Sequence, residues 1–97
     1  MIQPRLYLVT YDISNRKRWR RVFKTLSRWG EHRQLSVFLC RLRPSAMACL
    51  QERLAGLIAA HEDRLMVVEL GPAHSASLQV RTTGPVGILA PPAPVVV

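Results

Sequence analysis

Ninety-seven residues are enough for one domain with a modest core, a size at which oligomerisation adds useful buried area. Hydrophobic residues make up 48% and charged residues 21%, a balance that excludes an intrinsically disordered chain. With 14 Lys+Arg against 6 Asp+Glu the formal charge is +8, which points to a polyanionic partner, nucleic acid ahead of an anionic membrane surface.

Arg5 to Tyr11 (RLYLVTY) is rich in β-branched and aromatic residues and nearly continuous in hydrophobicity. It reads as a central strand with both faces at least partly covered. The strand stops at Asp12, and Ser14 and Asn15 offer N-cap side chains for a helix. From there to Trp29, the residues Trp19, Val22, Phe23 and Leu26 recur at the spacing of an amphipathic helix. Gly30 follows as an expected C-cap in the left-handed conformation. Gln34 to Leu42 (QLSVFLCRL) is extended, either as one strand or as two joined by a tight kink near Leu35-Ser36. Pro44 and Ser45 open a second helix, with Ser45 the expected N-cap and Met47, Leu50, Leu54, Leu57 and Ile58 on its buried stripe. Arg64 to Leu70 (RLMVVEL) is another strand, stopped by Gly71-Pro72.

If the middle run is two strands, the order is βαββαβ, an α+β ferredoxin-like sandwich. Leu78 to Thr82 has the composition of an extra C-terminal strand. The domain is therefore drawn at residues 1–83. The Pro-rich tail, 84–97, excludes helix and central strand and reads as a disordered or partner-binding extension. No segment has transmembrane length and no leader-like run opens the chain, so a cytoplasmic protein without membrane contact is expected.

Thirteen of the 14 cations lie between Arg5 and Arg64, and only Lys17 and Lys24 are lysines. Arginine's planar fork suits phosphate and base contacts. Arg16, Lys17, Arg18, Arg20 and Arg21 crowd the first two turns of the first helix, with no acidic residue between Asp12 and Glu31. The five are expected to surround the apolar stripe rather than share one face. A solvated helix face usually mixes signs, so this run is the expected phosphate-backbone contact, independent of sequence and sensitive to salt. Cys40 and Cys49 fit neither a disulfide framework nor a zinc site. His32, His61 and His74 show no ligand spacing, and Tyr11, Trp19, Ser36 and Phe38 read first as core or kink residues.

Leu8-Val9-Thr10-Tyr11-Asp12-Ile13-Ser14, then Arg18, Gly30-Glu31 and Gln34-Leu35-Ser36-Val37-Phe38-Leu39-Cys40, resembles the small CRISPR-associated endoribonuclease family. That family is the dimeric partner of the CRISPR adaptation integrase. Its pattern is a strand ending in Tyr-Asp-Ile, a basic amphipathic helix, and Gly-Glu-Arg-x-Gln-x-Ser-Val-Phe entering the next strand. The match covers roughly residues 5 to 70. Three departures stand out: His32 takes the place of the motif arginine, which is displaced to Arg33; Leu35 takes the place of an aromatic; and the tail after Gly84 has no counterpart.

The resemblance implies a ferredoxin-like homodimer, often with a C-terminal strand exchanged between partners. It implies a position between integrase subunits, supporting the double-stranded DNA that becomes a new spacer. Some members are metal-dependent nucleases on single-stranded RNA or double-stranded DNA, and others serve adaptation without cutting. By residue type alone Asp12 either caps the following helix or works with a metal. The resemblance makes Asp12 both the catalytic and the metal-binding residue. Mg²⁺ takes one or two carboxylates and keeps several waters, so one ion shared by two Asp12 side chains across a dimer is the expected cofactor arrangement. A stand-alone metal-dependent nuclease and, by fold analogy only, a toxin-like ribonuclease are the competing readings.

Overall fold

Tyr7, Val9 and Tyr11 alternate along the first strand, so three large side chains fall on one face while Leu6, Leu8 and Thr10 fall on the other. The computed structural model describes residues 3–74 together with Arg81, Thr83 and Gly84. Its elements follow the expected order: β1 (Arg5–Asp12), α1 (Arg16–Trp29), β2 (Glu31–Gln34), β3 (Val37–Leu42), α2 (Pro44–Ala55) and β4 (Arg64–Pro72). The extended middle run is thus two strands, turning at Leu35-Ser36, and the first of them begins earlier than its apolar residues suggest. The four strands form one sheet in the order β2-β3-β1-β4, and β1 is antiparallel to both β3 and β4. This is the ferredoxin-like arrangement.

The Tyr7, Val9 and Tyr11 face is covered. It joins Phe38 and Cys40 from β3, Val22 and Leu26 from α1, and Met47, Leu50 and Leu54 from α2 in one buried cluster. Each such aliphatic or aromatic side chain contributes roughly 1.5–3 kcal/mol when fully withdrawn from water. Leu57 and Ile58 lie past the end of α2 but still pack against this cluster. The opposite sheet face carries Leu8, Leu39 and Val68 in one cross-strand row and Thr10, Val37 and Met66 in the next. No described helix packs on it, and Met66 is 57% exposed.

Two caps differ from expectation. Gly30 has φ −155° and ψ −176°, extended rather than left-handed backbone. Its lack of a side chain matters for space instead: a Cβ there would lie 2.5 Å from the Cys40 Sγ and 2.7 Å from the Leu39 carbonyl oxygen. The cap of α2 is Arg43 with Pro44 in the first turn, so Ser45 lies inside the helix. Pro44 has no N–H to leave unsatisfied, which is why a helix can start on it without a side-chain cap. The proposed strand Leu78–Thr82 and the tail 84–97 lie, apart from Arg81 and Gly84, outside the described residues.

Candidate functional site

The end of β1 is fixed from three sides. The Tyr11 backbone N–H donates to the Ser36 carbonyl at 3.2 Å, and its hydroxyl donates to the Leu35 carbonyl at 3.3 Å. These bonds tie β1 to the β2–β3 turn. The Tyr11 ring stacks on Phe38 and meets Trp19 edge-on, with centroids 6.3 and 6.4 Å apart. Trp19 in turn stacks on Phe23 at 5.1 Å, and Phe23 contacts both Phe38 and His32. Burial pushes the Tyr11 phenol well above its ordinary range. Tyr11, Trp19 and Phe38 are therefore the packed wall behind the site. His32 belongs to the same wall, its ring 4.9 Å from Phe38 and its Nε2 buried without a hydrogen-bond partner.

Asp12 follows Tyr11 and, by strand alternation, points to the side away from the helices. It is exposed, and its carboxylate makes no hydrogen bond or ion pair with any described residue. It does not cap α1. That role falls to Asn15, whose side-chain oxygen accepts from the Arg18 backbone N–H at 2.9 Å. The capping explanation for an acid at this position is thus taken by another residue. Directly across the ladder from Asp12 stands Arg64, the first residue of β4. Among the described residues no three His, Cys, Asp or Glu side chains gather into a metal cluster. A divalent ion held at Asp12 by one protomer would therefore keep most of its coordination shell as water.

The basic run divides. Arg16, Lys17, Arg20 and Arg21 are exposed, as are Lys24 and Arg28 further along α1. At 100° per residue, these six fall within an arc of about 140° on the outer helix surface. They therefore share one face, contrary to the expectation that the first-turn cations encircle the apolar stripe. Arg16, Arg20, Lys24 and Arg28 form an i, i+4 row with about 6 Å of rise between neighbours.

Arg18 is the exception. Its Nε donates to the Asp63 Oδ2 at 2.7 Å and its Nη2 to the Glu62 Oε1 at 2.8 Å. The Asp63 side chain is 0% exposed and also accepts the Ala59 backbone N–H at 2.8 Å. The Arg18 hydrogen bond, then that of Ala59, holds the Asp63 carboxyl below the usual carboxylate range. The same bond to Asp63 raises Arg18. Arg18 thus clamps α1 to the start of β4, with its guanidinium engaged internally rather than presented with the other cations. Sequence reasoning missed Asp63 as its partner. The signal was present in the adjacent acids Glu62-Asp63, but only the fold shows that they face α1.

The family model described as CRISPR associated protein Cas2 matches residues 5–76. The chain belongs to the Cas2 family. It is 42% identical over 78 residues to the CRISPR-associated endoribonuclease Cas2 1 of Rhodospirillum rubrum, covering 80% of this chain and 76% of that one. It is 39% identical over 79 residues to the CRISPR-associated endoribonuclease Cas2 of Geobacter sulfurreducens, covering 81% and 83% respectively. The crystal structure of Streptococcus pyogenes Cas2 superposes with a TM-score of 0.68 at 29% identity, covering 79% of this chain and 99% of that chain. This Cas2 chain thus carries the family's strand and helix order, and none of its described helices is long and apolar enough to cross a membrane.

Proposed function

We propose that this Cas2 protein acts as a homodimer that binds nucleic-acid backbone, supports the CRISPR adaptation integrase on double-stranded DNA, and hydrolyses phosphodiesters at Asp12. The observation that carries the reading is the placement of Asp12: exposed, without a partner among described residues, and at a strand end beside an arginine-rich helix. The names of the relatives, CRISPR-associated endoribonucleases, support cleavage of RNA. The six-cation face of α1 supports binding of duplex or single-stranded backbone alike, because phosphate contacts carry no sequence information. Family membership favours this role over a toxin-like ribonuclease.

The uncovered sheet face, where Leu8, Val37, Leu39, Met66 and Val68 lie together, supports the dimer reading. A second copy seated there buries this surface and brings a second Asp12 toward the first. The paired carboxylates then suit one Mg²⁺, which when bound supplies positive charge to the scissile phosphate. In the net reaction water adds to phosphorus, one P–O ester bond breaks, and its oxygen leaves with a proton as a hydroxyl.

The test is a side-by-side cleavage assay of wild type and Asp12→Asn on RNA and on duplex DNA, with Mg²⁺ and with chelator. The substitution is expected to lower Mg²⁺-dependent cleavage by about 100-fold or more, the scale of removing a group that acts only on the reacting centre. Integrase association should persist. Cleavage that survives in Asp12→Asn overturns the catalytic assignment.

A further inference from the structure

Asp12 and Arg64 are direct cross-strand partners at the end of the β1–β4 ladder, so both side chains project on the same face. Directly opposed residues of an antiparallel pair hold their Cβ atoms roughly 4.5–5.5 Å apart. A carboxylate and a guanidinium at that separation can close an ion pair, yet none joins these two. Arg64 is exposed and makes no hydrogen bond or ion pair with any described residue. Its backbone, by contrast, is anchored. The residue before it is the buried Asp63, clamped by Arg18 and by the Ala59 N–H. The guanidinium therefore stands on a fixed base, next to the acid proposed for the reaction, with its donors available.

A groove of about 800 Å³ runs past the same two residues and is lined further by Gln51, Ile58, Leu65 and Met66. That size suits a small organic group, and the lining mixes apolar side chains (Ile58, Leu65, Met66) with polar ones (Thr10, Tyr11, Gln51, Asp63).

We propose that Arg64 is the phosphate-holding residue of this site: its fork engages the non-bridging oxygens of one backbone phosphate beside the Asp12 carboxylate. The inference rests on the phosphodiester reading of Asp12 and adds to it a positive group carried by the protein itself. An anionic phosphate brought against a lone carboxylate is repelled. A guanidinium across the strand offsets that repulsion and presents two parallel N–H donors, a geometry that lysine does not reproduce. Charge that grows on the phosphate oxygens during attack by water is met by the same donors.

The experiment is a double-mutant cycle on binding, read without catalysis. A short fluorescein-labelled DNA duplex is titrated in chelator with wild type, Asp12→Asn, Arg64→Met and the double variant, each first checked for an unchanged circular dichroism spectrum and melting temperature. Arg64→Met is expected to weaken binding about tenfold, the scale of losing charge-assisted hydrogen bonds. It should also reduce the salt slope by about one unit. Asp12→Asn should tighten binding in the Arg64 background, where phosphate and carboxylate meet, and have no effect once Arg64 is Met. Arg64→Lys should recover the salt slope but only part of the affinity.

Equal effects of Asp12→Asn in both backgrounds, or wild-type binding by Arg64→Met, would overturn the proposal. Because the cycle uses no turnover, it is separable from the cleavage assay. A protein that fails to cut yet shows the coupling refutes the catalytic reading of Asp12 and retains the phosphate site.

Discussion

Arg18 lies in the middle of a run of cations, yet its guanidinium is turned inward onto Asp63 and Glu62. Asp63 is the reason. Its side chain is closed off from water and accepts hydrogen bonds from Arg18 and from the Ala59 N–H, so leaving it unpaired would strand a buried charge. The pH dependence follows from the direction of its shift. The folded carboxyl titrates below the unfolded one, so its stabilising contribution is fully present above the ordinary carboxylate range. That contribution is lost as pH falls through the folded value. Asp63→Asn is therefore expected to melt more than about 5 °C below wild type at neutral pH and to lose less stability on acidification. Thermal melts across the acidic range check this. A variant as acid-sensitive as wild type would mean that other carboxylates govern the acid limb.

At the scale of elements, α1 shows how one helix serves two surfaces. Val22 and Leu26 are buried, Trp19 and Phe23 lie along the edge of that stripe, and six cations occupy the outer arc. The helix was legible in the sequence because its apolar spacing and its Asn15 cap agree. What was not legible is the direction taken by Arg18, since periodicity places a residue on a face without showing which neighbour approaches it. Gly30 failed for a related reason. Glycine after a helix suggests a left-handed cap, whereas here the demand is a close approach to Cys40, a long-range contact.

The binding prediction for α1 rests on the face that remains. If four of its cations neutralise phosphates, the logarithm of duplex affinity should fall with the logarithm of salt at a slope of about −3.6. Arg20→Ala and Lys24→Ala should each reduce that slope by about one unit without altering preference among sequences. Anisotropy titrations at several salt concentrations measure it. A slope near zero would remove α1 as the backbone contact.

At the scale of the whole molecule, the sheet is finished on one side only. The βαββαβ order was readable because strands and helices alternate with clear turn residues, and it fixes both helices on the Tyr7–Val9–Tyr11 face. The same order leaves the other face without cover among the described elements. Its row of Leu39, Leu8 and Val68 runs across three strands, and the exposed Met66 lies beside it. Contiguous apolar surface of this kind marks an association site. A lysine at the middle of that row tests the idea without disturbing the buried side. Leu8→Lys should keep the folded spectrum, because its long side chain can carry the charge past the sheet surface into solvent. In sedimentation, however, it should shift the protein from dimer to monomer. Since cleavage is assigned to two Asp12 residues brought together, the monomer should also lose Mg²⁺-dependent cutting while the α1 face still binds nucleic acid. A monomeric Leu8→Lys that cuts at the wild-type rate would show that one Asp12 is sufficient and that the dimer serves some other purpose.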